Sequence, residues 1–282
     1  MSKSLLALVA MAMLVSGVSF AGDSPRGRHF EHIVTVILEN ATYKKAMADP
    51  YLAQLSRRGA FLKNYSGVFH PSYPNYLALV AGNFFWTWFD TQKTIDEPNI
   101  ADLLEAQGYT WKNYAEDYPG GCFLGSMSGK YARRHVPFLS FKSIQRNPER
   151  CARVVEAGEF DRNWAAGTLP SYSFFTPNND HNGHDTNVAT ASAWLRKFLE
   201  PKLADAARMN STLFFVTFDE SDSIFSNHVY AVALGPMVKT GHVSRREYDH
   251  YAHLRMVEEN FGLGNLDVGD DFAQPMEQIF KR

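Results

Sequence analysis

The chain has 282 residues, 45% of them hydrophobic, and it carries 28 basic against 30 acidic side chains for a net charge of −2. This balance argues against a nucleic-acid-binding protein, which needs a basic stripe, and it leaves no polybasic patch for anionic lipid. The size and apolar content suit one large α/β core, and no internal repeat or long linker divides the chain.

The amino-terminal segment reads MSKSLLALVAMAMLVSGVSFAGDS, with one early lysine, an apolar run, and small residues at Ser19 and Ala21. It is too short and wrongly flanked to span a bilayer, so it predicts a secretory signal peptide, residues 1–21, cut after Ala21. Lys3 is the one charged side chain of residues 1–21, so removal of this signal peptide leaves 27 basic and 30 acidic residues and a net charge of −3. Residues 22–282 are then expected to form a single domain that is secreted or periplasmic, without stable membrane insertion.

Six short runs rich in β-branched and aromatic residues predict buried strands. Helices are predicted between and after them, over residues 49–58, 99–107, 186–199 and 249–261. This alternation indicates an α/β fold, a three-layer sandwich with a mostly parallel central sheet. The predicted strands are His32–Leu38, Ala60–Tyr65, Tyr109–Tyr114, Ser171–Phe175, Thr212–Phe218 and Val229–Leu234.

Acidic and amide residues follow two of these strands directly. Glu39 and Asn40 come after the first strand, and Asp219 and Glu220 come after the fifth. Ligands bind beyond the carboxyl ends of strands in open α/β sheets, so we expect these side chains to converge. Crowded carboxylates repel one another unless a cation lies among them, which makes the set a candidate site for a divalent metal of unknown identity. Either acidic pair alone would be read as a helix cap or a solvated turn.

The stretch FHPSYPNYLALVAG places Ser72 just before a predicted helix that runs from about residue 74 to Ala81. Ser72 could cap that helix, because serine is a favoured residue at this position. A helix amino terminus also favours an anionic ligand, and Asn75 adds an amide donor there. A serine beside a divalent cation can attack phosphorus, so the cap and the nucleophile both remain possible. The Gly-x-Ser-x-Gly elbow of a serine esterase does not occur in the chain.

Two further segments bear on the fold and the substrate. The aromatic run Phe84–Phe89 predicts core, with a wall for an apolar leaving group as the alternative. Cys122 and Cys151 are an even pair in an oxidising compartment, so a disulfide between them is expected.

The segment Asn178–Asp185 reads NNDHNGHD and holds several possible metal or phosphate ligands. A plain turn is one interpretation, although histidine has no advantage in a turn. Asp180 and His184 are candidates for a second metal or for the phosphate, and Asp185 could orient His184. His228, before the last predicted strand, is a further candidate.

These residues lie in stretches that resemble a secreted phosphoesterase family, which includes bacterial and fungal acid phosphatases and bacterial phospholipases C and has the alkaline-phosphatase-like fold. The resemblance covers most of residues 22–282 and rests on eight stretches in the same order. They are VILEN, HPSYPNYLALVAG, WKNYAEDYPGGC, YARRHVPF, TPNNDHNGHD, FVTFDESD, VALGP and YDHYAHLRMVEENFGLG.

The resemblance implies that Ser72 is the nucleophile and that Glu39, Asn40, Asp219 and Glu220 bind the metal. Nucleotide pyrophosphatases of the same superfamily are similar around Ser72, and their pattern implies that Asn75 contacts the phosphate. Two departures from their metal motifs, at Asn179 and Glu220, leave the number of metals open between two and one with histidines completing the phosphate pocket. A phosphoserine intermediate is then expected, with His184 or His228 as the proton donor or base.

The substrate expected from these features is a phosphorylated small molecule, and the favoured activity is that of a phosphomonoesterase of the acid phosphatase type. A phosphodiesterase or phospholipase C on the same scaffold is one alternative. A non-catalytic phosphate- or metal-binding protein is the alternative from another class. His250 is interpreted as a helix-surface or rim residue outside the site, and the oligomeric state stays open.

Overall fold

The computed structural model describes residues 26–282, so the predicted signal peptide lies outside the described residues. Eleven strands occur in this part of the chain, and each of the six predicted strands is found among them. In chain order the strands are β1 (His32–Leu38), β2 (Ala60–Ser66), β3 (Trp111–Ala115), β4 (Met127–Ser128), β5 (Tyr131–Ala132), β6 (Val154–Glu156), β7 (Tyr172–Thr176), β8 (Thr212–Phe218), β9 (His228–Val229), β10 (Ala231–Leu234) and β11 (Val243–Asp249).

Nine of these strands form one sheet in the order β11-β2-β10-β8-β1-β7-β3-β6, with β9 paired to β2. The pairs on both sides of β1 are parallel, whereas β10 runs antiparallel to β8 and to β2. The short strands β4 and β5 form a separate hairpin. The sheet is therefore mostly parallel, as the alternation of strands and helices predicts.

The described part of the chain also contains α-helices of four to sixteen residues and three 3₁₀ turns, at Arg133–His135, Pro137–Ser140 and Glu277–Ile279. The helices are α1 (Tyr43–Ala48), α2 (Pro50–Arg58), α3 (Ser72–Ala81), α4 (Ile100–Ala106), α5 (Lys142–Gln145), α6 (Pro148–Cys151), α7 (Gly158–Ala166), α8 (Val188–Leu203), α9 (Ala206–Met209), α10 (His250–Phe261) and α11 (Gly269–Phe272).

Helices cover both faces of the sheet. Successive side chains of a strand point to opposite faces. On β8, Phe215 packs against His253 of α10, with ring centroids 4.6 Å apart, whereas Phe214 packs against Phe198 of α8. The neighbouring helix α3 packs against α10 on the first face. The predicted three-layer α/β arrangement is confirmed.

Helix α3 carries the site and is buried along its whole length. It ends at Gly82, whose φ of +62° lies in the left-handed region that glycine adopts readily. Within residues 26–282, no helix combines the length and apolar character that crossing a bilayer would require.

Candidate active site

The carboxylates meet because their strands are neighbours. Parallel strands β1 and β8 pair in register, so that Leu38 lies opposite Phe218, and the chain leaves both strands at the same edge of the sheet. Glu39 and Asp219 are the next residues, and both are buried. The convergence predicted from the strand ends is therefore present in the fold.

Ser72 does not cap the helix. It is the first residue of α3, while Pro71 occupies the N-cap position and makes no side-chain capping bond. The Ser72 hydroxyl, 2% exposed, lies 3.0 Å from Glu39 Oε2 and 3.1 Å from Glu220 Oε1. Its single proton can go to only one of these oxygens at a time. The side chain thus faces the carboxylates, not the backbone of its own helix.

Glu39 is held from the other side by two aromatic residues. Tyr76, one turn after Ser72 on α3, donates its hydroxyl to Glu39 Oε1. His135 Nε2 lies 3.2 Å from the same oxygen, although the angle is not that of a hydrogen bond. Burial is the main reason that the pKa of His135 lies well below its usual value, with the nearby Arg134 as the next cause. These surroundings favour the neutral form of His135.

Asp219 and Glu220 are fixed by separate partners. The backbone N–H of Asn40 donates to Asp219 Oδ1 at 3.2 Å, and Asn40 adopts a left-handed φ of +55°. His70 Nδ1 contacts Glu220 Oε2. His250, wholly buried at the start of α10, donates from Nε2 to the Asp219 carbonyl at 2.5 Å, so its interpretation as a surface or rim residue is wrong.

Burial disfavours the charge of all three carboxyl groups, and the charge of Asp219 adds to the effect on Glu39 and Glu220. Burial is the largest cause that raises the pKa of Glu39 well above its usual value, and the charge of Asp219 adds to it. Burial raises the pKa of Asp219 to about 6. Burial, followed by the charge of Asp219, raises the pKa of Glu220 to about 9. A cation among the carboxylates would reverse these shifts.

The donor types at the site fit a hard divalent cation. Glu39, Asp219 and Glu220 supply carboxylate oxygens, and among the described residues none donates a hydrogen bond to the buried Asp219 Oδ2. However, no group of three or more His, Cys, Asp or Glu side chains within residues 26–282 is already spaced as a metal site. Metal binding by these three residues and Asn40 remains a prediction.

Asn75 is close to Ser72 but its amide is occupied. Its Oδ1 accepts from the N–H groups of Val68 and Phe69, at 2.8 and 3.1 Å. Its Nδ2 donates to the carbonyls of Phe69 and Pro71, at 2.8 and 3.2 Å. Two acceptor and two donor positions are all that an asparagine amide offers. Asn75 therefore fastens the loop before Ser72, and its amide has no donor left for the phosphate that the sequence analysis assigns to it.

Comparison with known proteins identifies the chain. The model of the Phosphoesterase family matches residues 39–264, from the first carboxylate to beyond α10. The chain belongs to the Phosphoesterase family.

Two curated relatives of this phosphoesterase are about one-third identical to it. A probable acid phosphatase of Kluyveromyces lactis is 34% identical over 90% of the chain, which spans 63% of that protein's length. A phosphatidylinositol-3-phosphatase of Mycobacterium tuberculosis is 34% identical over 89% of the chain and 83% of the relative. The chain thus spans less than two-thirds of the length of the first of these.

A solved structure supports the fold. A Vibrio parahaemolyticus protein of the alkaline phosphatase superfamily matches with a TM-score of 0.63. The match covers 90% of the phosphoesterase and 72% of that chain at 14% identity. The predicted alkaline-phosphatase-like fold is confirmed.

His184 lies at the edge of the phosphoesterase site. Its Nδ1 is 2.8 Å from Asp185 Oδ1, the orienting contact expected from the sequence. Its Nε2 is 3.0 Å from Arg134 Nη2, and its ring centroid is 5.9 Å from that of His135. His184 is thus linked to Glu39 through residues that the sequence analysis did not assign to the site.

Asp180 and His228 are held elsewhere by other partners. Asp180 forms an ion pair with Lys130 at 2.8 Å and is 41% exposed at its side chain. His228 Nε2 is 2.7 Å from the Lys63 carbonyl, and its ring stacks on Tyr43. Neither side chain has a recorded contact with Ser72 or the carboxylates. The structure therefore does not bring these two predicted residues to the phosphoesterase site.

Sequence reasoning also missed residues that the fold brings to the site. Arg134 and His135 were available in the stretch YARRHVPF, but their distance of more than 90 positions from Glu39 hid the contact. His70 and Tyr76 flank Ser72 within the quoted stretch, and a histidine two residues before a candidate nucleophile was a usable signal. Asp90 accepts from the Tyr73 N–H at 3.0 Å and was not singled out.

Two predictions outside the site have clear outcomes. Cys122 and Cys151 are joined by a disulfide with Cα atoms 5.5 Å apart. The aromatic run Phe84–Phe89 is not core, because Trp86 is 74% and Phe89 is 73% exposed. The core interpretation of this run is wrong.

Proposed function

We propose that this phosphoesterase is a secreted, metal-dependent phosphomonoesterase that works through a phosphoserine at Ser72. The observation that carries the proposal is the buried serine hydroxyl 3.0 Å from Glu39 and 3.1 Å from Glu220 at the amino terminus of α3. A cap would not need these partners, and a helix amino terminus favours the negative charge of a phosphoryl group. Two named relatives are phosphatases, which favours a monoester over a diester.

The chain's own residues provide the parts of such a reaction. A carboxylate oxygen of Glu39 or Glu220 accepts the Ser72 proton as the serine Oγ–P bond forms and the bond from phosphorus to the leaving oxygen breaks. Tyr76 and His70 keep those two carboxylates oriented. Water then attacks phosphorus and gives a proton to His184, the serine Oγ–P bond breaks, and Ser72 Oγ recovers its proton from the carboxyl group as inorganic phosphate leaves.

Arg134 and His184 are proposed to act on the phosphoryl group from the side away from Ser72. The Arg134 side chain is 14% exposed and reaches both His184 and, at 3.8 Å, Asp90. Its guanidinium can bind two phosphate oxygens, whereas both Asn75 Nδ2 donors are used by backbone carbonyls. Once a phosphate oxygen takes the place of His184 at Arg134, a protonated His184 would donate from Nε2 to the leaving oxygen, with Asp185 holding Nδ1.

The donor set Glu39, Asn40, Asp219 and Glu220 is proposed to hold one divalent cation. When bound, the cation would offset the repulsion of the carboxylates and lower the pKa of the serine hydroxyl.

Hydrolysis of a chromogenic phosphomonoester and of its matching diester tests the proposal. Wild type, Ser72→Ala and Ser140→Ala are compared, each with and without a chelator. Ser140 is a matched control, since it is buried beside Tyr73 and bonded to its hydroxyl, away from the carboxylates. We expect Ser72→Ala to lower kcat/KM on the monoester by at least about a thousandfold, and Ser140→Ala to have little effect.

Three results would overturn parts of the proposal. Full activity of Ser72→Ala would show that Ser72 is not the nucleophile. Full activity after chelation and dialysis would show that the reaction needs no metal. Turnover of the diester alone would make the protein a phosphodiesterase.

A further inference from the structure

The loop between Asn83 and Asp90 points large apolar side chains into solvent beside the site. Trp86 and Phe89 are 74% and 73% exposed, and Trp88 is 47% exposed. The loop is fixed to the site, because Trp88 packs on Phe69 with ring centroids 5.1 Å apart and Phe69 directly precedes His70.

A second loop, residues 221–227, also exposes large apolar side chains to solvent and is also attached to Phe69. Ile224 is 82% and Phe225 is 92% exposed. Asn227 ties this loop to Phe69 by donating from Nδ2 to the Phe69 carbonyl at 2.8 Å. The loop begins immediately after Glu220, so its exposed tips also stand at the opening of the site.

The third loop leads into the hairpin β4–β5. The large exposed apolar residues here are Leu124 in the loop and Met127 at the start of β4, at 41% and 44%. Arg133 donates to the Leu124 carbonyl at 2.7 Å, and Arg134 Nη1 lies 3.8 Å from Met127 Sδ. Since Arg134 is the proposed phosphate-binding residue, this loop reaches the opening as well.

Seven of the nine large exposed hydrophobic residues in the described part of the chain therefore stand around one opening. Scattered exposed apolar residues need no explanation, but a concentration of them marks an interaction surface. We call this set the apolar rim. It consists of Trp86, Trp88, Phe89, Leu124, Met127, Ile224 and Phe225.

The exposure of the rim indicates what covers it. A wall that grips a soluble leaving group would be partly enclosed, as Phe69 and Phe84 are, with rings stacked 5.5 Å apart. The outermost rim side chains, Trp86, Phe89, Ile224 and Phe225, are instead 73–92% exposed on two separate loops. Tryptophan and phenylalanine at such tips suit insertion into the boundary between lipid headgroups and acyl chains. Lys93, bonded to the carbonyls of Phe85 and Trp86, adds a positive charge at headgroup level.

We propose that the apolar rim docks the protein peripherally on a lipid surface, with the Ser72 opening facing phosphoester headgroups. This proposal rests on the proposed function for the identity of the substrate, but docking itself requires no turnover. Because apolar insertion drives the contact, binding should need no anionic lipid and should persist at high salt.

Sedimentation with phosphatidylcholine vesicles in about 0.5 M NaCl tests the rim, since this salt screens surface charge. Wild type is compared with the quadruple variant Trp86→Ser, Phe89→Ser, Ile224→Ser, Phe225→Ser. The control is Val243→Ser, because Val243 is 46% exposed but starts β11 opposite Phe61, at the far edge of the sheet. We expect the quadruple variant to partition at least about tenfold more weakly and the control to bind like wild type.

Failure of wild type to bind vesicles, or equal binding by the quadruple variant, would overturn the inference. Hydrolysis of a soluble aromatic phosphomonoester by the same variants gives a second test. We expect the quadruple variant to keep the wild-type kcat/KM on this soluble substrate. A large loss would show that the rim binds the leaving group, and it would overturn docking on a lipid surface. The Ser72 mechanism and docking by the apolar rim can be rejected independently. If Ser72→Ala stays active and binds vesicles, Ser72 is not the nucleophile but the docking proposal still holds.

Discussion

At the scale of single residues, Glu39 connects the proposed nucleophile to its support. Ser72 and Tyr76 are four positions apart on α3, so they present their hydroxyls on the same helical face. One approaches Oε2 of Glu39 and the other donates to Oε1. The same helix thus aims the nucleophile and orients the carboxylate beside it.

Tyr76→Phe tests this positioning role. It removes one hydrogen bond to a buried carboxyl group, and we expect kcat/KM to fall about tenfold to a hundredfold with the fold intact. Steady-state kinetics on a soluble phosphomonoester and thermal melting are the measurements. Tyr73→Phe is the control, because the Tyr73 hydroxyl donates to Ser140 at 2.7 Å. Equal effects of the two substitutions would contradict the role.

The sequence predicted the residues whose place follows from an element's end. Glu39 and Asp219 follow predicted strands, so sheet geometry brings these two together, and Ser72 comes just before a predicted helix. His135 and Arg134 could not be assigned in this way, because they reach the site through a loop of irregular path. For Asn75 the limit is different, because a sequence shows an available amide but not which backbone groups already occupy it.

At the scale of elements, the loop between β2 and α3 is shaped by two small devices. Gly67 lets the loop approach β8, since a Cβ there would lie 2.6 Å from the Asp219 carbonyl oxygen. Asn75 then fastens the following residues through four hydrogen bonds. His70 and Ser72 are presented to the carboxylates by this loop.

The substitution Asn75→Ala distinguishes two roles for Asn75, holding the loop before Ser72 in place and binding the phosphate. We expect a loss of about 2–4 kcal/mol in the free energy of unfolding, because buried backbone groups lose their partners. Urea unfolding measures this loss, and kinetics should show a fall in kcat. A rise in KM for substrate and in the inhibition constant of inorganic phosphate, with stability unchanged, would instead restore Asn75 as a phosphate ligand.

The disulfide belongs to the segment that supplies Arg134 and His135. Cys122 and Cys151 are 29 positions apart and enclose both residues. Replacing both cysteines by serine should cost about 3–4 kcal/mol, from the loop entropy released to the unfolded chain. We also expect kcat to fall, because the arginine loses its fixed position. Thermal melting and kinetics of the oxidised wild type and the double variant measure both effects; an unchanged melting temperature would contradict the first.

The elements that the sequence located well are those with an apolar run and clear ends. The predicted bounds of β1 and β8 match the structure residue for residue. Val229–Leu234 was predicted as one strand, but it divides into β9 and β10 because β9 pairs with β2 alone. Strand β11 was missed because its sequence, VSRREYD, is largely charged and exposed, as suits the edge of a sheet.

At the scale of the whole molecule, a second buried carboxyl pair lies behind the site. Glu258 of α10 is 2% exposed and Asp270 of α11 is 1% exposed. Burial, with Asp270 as the next cause, raises the pKa of Glu258 from 4.5 to about 9. An acid whose pKa is higher in the folded chain favours folding only while it is protonated. Its contribution is complete below about pH 4.5 and is lost as the pH rises through about 9.

Glu258→Gln should remove this pH dependence. We expect the variant to be more stable than wild type at pH 8 by a few kcal/mol at most, with the difference shrinking toward pH 5. Unfolding by urea across pH 5–9 is the measurement. Glu259→Gln is the control, because Glu259 is more exposed and bonded to Arg255. A stability difference that is constant with pH would contradict the expectation.

The order of the strands has a consequence for biosynthesis. Among the strands of residues 26–282, β1 leaves the ribosome first, yet both of its partners in the sheet come late, β7 at residues 172–176 and β8 at 212–218. Its apolar sequence HIVTVIL must therefore remain unpaired while most of the chain is made, a state prone to aggregation. A nascent chain that stops short of residue 218 would lack both the centre of the sheet and two of the three site carboxylates. We therefore expect the centre of the sheet to assemble only when synthesis is nearly complete.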